Sequence, residues 1–145
     1  MTGERQDIEA RRAVRAFGRR AVASYLGRFG LMSQDVVALG SLADDLLARA
    51  GEASSGRATD AYHAAPGGVL TQVTLALKAD KHLSEHENPG EAFLQVLRGR
   101  VRLVAGDEQW ELAAGELLAI PQRRHSLIAL EDSVVLLTLA HVTSL

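Results

Sequence analysis

No cysteine occurs among the 145 residues, which excludes disulfide bridges, thiolate metal sites and cysteine nucleophiles together. Aromatic residues make up only 4%, thin for a platform on which nucleic-acid bases stack. Charge of one sign is lacking too: a formal net charge of −2 argues against a protein built mainly to hold nucleic acid. Apolar runs all fall short of the ~20 residues needed to span a bilayer as a helix. The first residues carry Glu4, Asp7 and Glu9 and no apolar stretch, so no secretory signal is expected and the expected location is the cytoplasm. Nor does any spacing match HExxH, a serine-centred elbow, a P-loop or a dinucleotide fingerprint. Any chemistry must come from His, Asp, Glu or Ser.

What is present is enough for a core. Hydrophobic residues make up 47%, and the length suits one ordinary domain with an appendage. The small net charge hides a division: residues 1–30 carry seven Arg against three acids, a net of +4, and the rest carries −6. This predicts two segments, a helical segment and linker over 1–58 and a β-domain over 59–145.

Val14, Phe17, Ala21, Tyr25 and Phe29 recur at steps of three and four, the stripe of an amphipathic helix over residues 8–29. Arg12, Arg15, Arg19 and Arg20 fall on its other side, and Gly30 is a natural stop. Such a helix either docks on the domain or a second subunit, or meets nucleic acid or an anionic surface; docking is favoured, and no recognition-helix pattern supports a DNA reader. A second helix is expected from Ser41 as N-cap, with Asp44 and Asp45 in the first turn and Arg49 in the last, stopping at Gly51. Residues 51–56 then read as a linker.

Beyond residue 60 short β-rich runs alternate with turn residues: 69–77, 93–97, 101–104, 109–112, 117–120, 126–130 and 134–140. Arg98-Gly99 reads as a hairpin turn, and further turns fall near 106, 115, 122 and 132. That spacing predicts an all-β antiparallel sandwich or barrel.

The same stretch resembles the cupin superfamily of small jelly-roll barrels over roughly residues 68–140. Against the first cupin motif, G-x5-H-x-H-x3,4-E-x6-G, the chain has Asp80, His86, Asn88, Ala92 and Gly99. Against the second, G-x5-P-x-G-x2-H-x3-N, Gly115 and Pro121 fit, Arg123 replaces the Gly and His125 arrives one residue early. The runs Glu85–Glu91, Leu94–Gly99 and Ile120–Leu127 are similar to a group of short bacterial cupins of unassigned function, whose chains typically begin near Met32. The resemblance implies a jelly roll, a homodimer through edge strands and, in metal-dependent members, a divalent ion held by three imidazoles and a carboxylate. Here two of those four ligands are replaced, by Asn88 and Ala92.

His86 and His125 are therefore the candidate site, either as hydrogen-bonded histidines at a polar end of the core or as ligand-binding groups. If Ala92 faces inward, Leu94 and Val96 do too, and Glu91 faces out unless a bulge between 88 and 92 turns it. Among the other histidines, His82 reads as a solvated turn residue, His141 as incidental, and His63 as a loop residue able to fold over the mouth. Arg98, Arg100 and Arg102 read as a solvated sheet face or, more sharply, an anion-binding rim. The favoured function is small-molecule binding in an apolar barrel, with His86, Asn88 and His125 orienting the ligand and Ala92, Leu94 and Val96 lining the cavity. The alternatives are a metal-dependent oxygenase or isomerase with His86, His125 and Glu91 or His63 as ligands, and a regulatory module using the basic helix.

Overall fold

The computed structural model describes residues 36–87 and 90–140; the helix expected over 8–29, Asn88 and His141 lie outside them. A single described helix, α1 (Leu39–Glu52), precedes nine strands: β1 (Arg57–His63), β2 (Leu70–Leu77), β3 (His82–His86), β4 (Ala92–Arg98), β5 (Arg100–Ala105), β6 (Glu108–Ala113), β7 (Leu117–Ala119), β8 (His125–Ala129) and β9 (Ser133–Ala140). They build two antiparallel sheets ordered β1-β2-β9-β4-β7 and β3-β8-β5-β6. Both orders skip through the sequence, as a jelly roll requires. No described helix is long and apolar enough to cross a membrane.

Period-two patterning decides which face of each strand is buried. In β4, Ala92, Leu94 and Val96 point inward, and Phe93 is half exposed on the other face. In β5 the inward set is Val101, Leu103 and Ala105, and in β8 it is His125, Leu127 and Ala129. Between the sheets these side chains, His125 and Ala105 aside, meet Leu75, Leu77, Leu112, Ile120 and Val135 in one apolar core. Each fully buried Leu or Val there contributes ~1.5–3 kcal/mol of hydrophobic stabilisation before its entropy cost.

Three local expectations are corrected. Arg98-Gly99 is not a hairpin: β4 pairs with β7 and β9, while β5 pairs with β6 and β8, so the chain crosses between sheets at Gly99. Ser41 is not the N-cap; α1 opens at Leu39 behind Ala38, which makes no side-chain cap, and runs past Gly51 to Glu52. Asp44 and Asp45 consequently fall beyond the first turn, where Asp45 pairs with Arg49 one turn on at 3.3 Å. His63 and His82 lie on β1 and β3 rather than in a loop and a turn, although both are exposed.

α1 packs on the outer face of the five-stranded sheet. Ala43, Leu46 and Ala50, at helical spacing, meet Ala76 and Val134, with Ala58 and Leu97 at the margin.

One end of the jelly roll is closed by tight polar packing. Gly99 has φ +79, and a Cβ there would stand 2.3 Å from the Asp132 carbonyl oxygen and 2.4 Å from Ser133 Oγ. Only glycine fits, both for the left-handed backbone and for the space. Ser133 Oγ accepts from the Arg100 amide at 3.1 Å and lies 3.0 Å from the Arg100 carbonyl and 2.7 Å from the Glu131 carbonyl. Asp132 accepts from Lys78 Nζ at 2.6 Å and from the Ala79 amide at 2.9 Å. Those two donors, the Lys78 side chain first, hold its carboxyl below the ordinary carboxylate value.

Candidate functional site: an imidazole pair at the mouth

His86 ends β3 and His125 begins β8, and the two are direct partners across the antiparallel pair. Their ring centroids stand 4.6 Å apart, edge to face. A register shift between Leu83 and His86 makes this arrangement. The two residues are three apart, so strict alternation would send them to opposite faces, yet both line the same cavity. His125 is 2% exposed, while His86 is only partly buried at the rim.

Each ring is tied to the backbone through one nitrogen. His86 Nδ1 lies 2.7 Å from the Ser84 carbonyl oxygen, and His125 Nδ1 lies 2.8 Å from that of Arg123. A carbonyl oxygen only accepts, so Nδ1 carries the proton in both rings. In the neutral imidazole this leaves Nε2 as a bare acceptor. Burial lowers the His125 pKa below its ordinary 6.5, and His86 acts in the same direction. The bond to the Arg123 carbonyl and the charge of Glu87 oppose that shift. Burial outweighs them, so His125 is neutral near pH 7.

The floor below the pair is apolar. Leu83, Leu94, Leu103, Ile120, Leu127, Leu137 and Leu139 enclose a cavity of about 20 Å³, the space of ~one water molecule. The interior of the expected apolar barrel is therefore largely filled by its own leucines. Of the residues expected at the site, His86, His125 and Leu94 line this cavity. Ala92 and Val96 face inward as predicted but sit in the core rather than on the cavity wall. Leu83, Leu103, Ile120, Leu127, Leu137 and Leu139 were missed, because only the register across both sheets brings them together.

The supplementary metal ligands do not converge. Glu91 is exposed just before β4, and its carbonyl accepts from the Ala140 amide. His63 lies on β1 in the other sheet, with Nδ1 3.2 Å from Thr71 Oγ1. Among the described residues no group of three or more His, Asp or Glu is placed to hold a metal ion. Two imidazoles alone do not meet the three or four protein ligands that zinc-type sites use. The rim charges are paired: Arg124 lies 3.6 Å from Glu85, and Arg123 pairs with Glu108. Arg100 and Arg102 share the face of β5 and both bind Glu111, at 3.0 and 2.7 Å. Arg98, on β4, stands 3.9 Å from Asp44 of α1, so the three arginines form no common anion-binding rim.

Comparison with known proteins agrees with this architecture. The family described as "Cupin domain" matches residues 73–141. Among solved structures, an RmlC-like cupin protein from Desulfovibrio desulfuricans is 27% identical, with TM-score 0.51, over 58% of this chain and 81% of that one. A conserved Streptococcus pyogenes protein of unknown function is 19% identical, with TM-score 0.56, over 63% of this chain and 80% of the other. The salicylate 1,2-dioxygenase of Pseudoaminobacter salicylatoxidans is 18% identical, with TM-score 0.59, over 69% of this chain but only 32% of its own. The last two likenesses show the fold alone. No curated protein matches the chain. Residues 73–141 thus carry a cupin domain, and the β-structure from β2 to β9 is a cupin jelly roll.

Proposed function

We propose that this chain binds a small neutral molecule at the mouth of the jelly roll, without a full metal site. The observation that carries the proposal is the pair of imidazoles whose Nδ1 protons are committed to the Ser84 and Arg123 carbonyls. That commitment fixes the tautomers and presents Nε2 acceptors beside an apolar floor. Such a pair recognises a hydrogen-bond donor, a hydroxyl or an amide N–H, and not a carboxylate, which itself only accepts. The 20 Å³ of free space admits only a short apolar end. Leu83, Leu137 and Leu139, which are only partly buried, are the side chains free to give way for a larger one.

Phenol and benzoate separate the chemistry: same ring, one a donor and one an anion. Titrated at pH 8 with the imidazole resonances as readout, phenol shifts both the His86 and His125 signals and benzoate leaves them in place. Equal response to the two, or none to phenol, overturns the reading. His125→Phe removes the acceptor, and the remaining His86 signal no longer responds to phenol.

The Nδ1–carbonyl tie also favours one second reading, since metal-ligating histidines are oriented in the same way. With only two donors assembled, zinc is expected to wash out on buffer exchange. Stoichiometric zinc retained by the wild type and lost in His86→Ala would establish the metal reading instead.

A further inference from the structure

α1 covers the outer sheet face only toward the closed end, where Ala43, Leu46 and Ala50 meet Ala76 and Val134. The register sets the next two rows of that face. One holds Asp60, Thr74 and Leu136, and the other Tyr62, Gln72 and Thr138. Against them lies a hollow of about 210 Å³, bounded on the helix side by Leu39 and Leu42. Its bottom is buried at Asp60, Thr74 and Leu136, while its rim is exposed at Leu39 and Gln72. These side chains are withdrawn from bulk water without being packed solid. The hollow is some ten times larger than the cavity under the imidazole pair. An apolar cavity of about 150 Å³ takes up benzene, so this one has room for a ring with a short arm.

The wall selects the chemistry of that arm. Asp60, only 8% exposed, carries a carboxyl group into a packed sheet face, where an apolar side chain would serve stability as well or better. Asp60 and Tyr62 are each engaged within the protein, so both are held in position for a guest. Gln72 donates its side-chain N–H to Thr138 Oγ1 at 3.3 Å, which commits its nitrogen to β9 and leaves its carbonyl oxygen on offer. The Thr74 and Tyr62 hydroxyls accept as well. No Lys, Arg or His stands among the described residues of this wall. An anionic guest would meet Asp60 and be repelled. An ammonium brings three donors and the opposite charge to a wall rich in acceptors.

We infer that this hollow is a second binding site, distinct from the mouth, for a small protonated amine with an apolar ring. The ammonium lies toward Asp60 and the Gln72 carbonyl oxygen, and the ring lies against Leu39, Leu42 and Leu136. The two sites sit on opposite faces of one sheet, since Leu136 of β9 lines the hollow and its neighbour Leu137 lines the cavity below the imidazoles.

Benzylamine and benzyl alcohol share a ring and differ in charge at pH 7. Each is titrated into the full chain with the Tyr62 ring and Leu136 methyl resonances as readout. Benzylamine is expected to shift both signals and to bind at least tenfold more tightly than the alcohol. Asp60→Asn keeps the shape, removes the charge and is expected to erase that preference. Gln72 is exposed, so Gln72→Lys tests the same point without touching a buried group, and it decides the matter if Asp60→Asn fails to fold. Its ammonium at the rim is expected to weaken benzylamine tenfold and to leave benzyl alcohol within twofold. Equal affinities for amine and alcohol overturn the inference, and so does the absence of any shift at Tyr62 and Leu136. Benzylamine that moves only the imidazole signals, or an amine preference that survives the substitutions, overturns it too. Tyr62 and Leu136 report on the outer face and the imidazoles on the mouth, so this inference and the reading of the mouth fail separately.

Discussion

The two ends of the jelly roll spend their polar groups differently. At the closed end, Ser133 and Asp132 are saturated by backbone and Lys78 partners, and Gly99 leaves no room for another atom. At the mouth, His86 and His125 give one nitrogen each to the backbone and keep the other. Saturated polar groups stabilise and specify a fold, whereas a group with one valence spare can take a ligand. The comparison predicts that substitutions at the closed end cost stability and substitutions at the mouth change binding.

The sharpest way to break it is Gly99→Ala. The left-handed φ alone costs ~1–2 kcal/mol for an L-residue, and the contact with the Asp132 carbonyl oxygen adds to that by forcing the Glu131–Ser133 turn away from β4. A total loss above ~3 kcal/mol, ~10 °C in thermal midpoint, is expected from calorimetry. A midpoint within 2 °C of wild type would mean that the closed end is not packed as described. The next effect belongs to Ser133→Ala, which leaves the part-buried Arg100 amide without its partner. Stranding a fully buried backbone donor costs ~1–3 kcal/mol, so the cost here falls toward the lower end, ~1 kcal/mol, read as a shift of the urea midpoint at unchanged slope. Ser133→Gly should cost at least as much, because it removes the same oxygen and adds backbone entropy.

These two ends also show what was legible in the sequence. The cupin motif positions at Asp80, Gly99 and Gly115 all take a left-handed φ, +69, +79 and +88. A backbone demand of that kind restricts residue type, so it leaves a mark that a motif can find, even where Asp stands for Gly. Arg123, at another motif glycine, has no positive φ and needs no glycine. The inward alternation of Ala92, Leu94 and Val96 was legible for the same local reason. What was not legible is non-local. Gly99 was visible as a turn, but not that the turn changes sheets. β1 was missed because its buried member is Asp60, a residue that breaks apolar alternation. The filling of the cavity depends on leucines from β3, β4, β5, β8 and β9, which no single segment displays.

The smallest expected effect lies at the mouth and concerns acid. Burial holds the His125 pKa below the 6.5 of an exposed imidazole. Between those two values the unfolded chain binds a proton that the folded chain does not, so stability rises with pH there. The contribution of neutral His125 is complete above about pH 6.5 and is lost progressively as pH falls through its folded pKa. Asp132, whose carboxyl is also lowered, sheds its contribution only in a more acidic window, below its ordinary 3.8. The interval from pH 6.5 down to about 5 thus separates the mouth from the closed end. Wild type should lose stability across it, and His125→Gln, uncharged in both states, should show a shallower loss. Asp132→Asn should keep the wild-type slope in that interval and differ only below it. If His125→Gln and wild type run parallel from pH 6.5 to 5, the imidazole is not buried against protonation, and the desolvated floor described beneath the mouth is not formed.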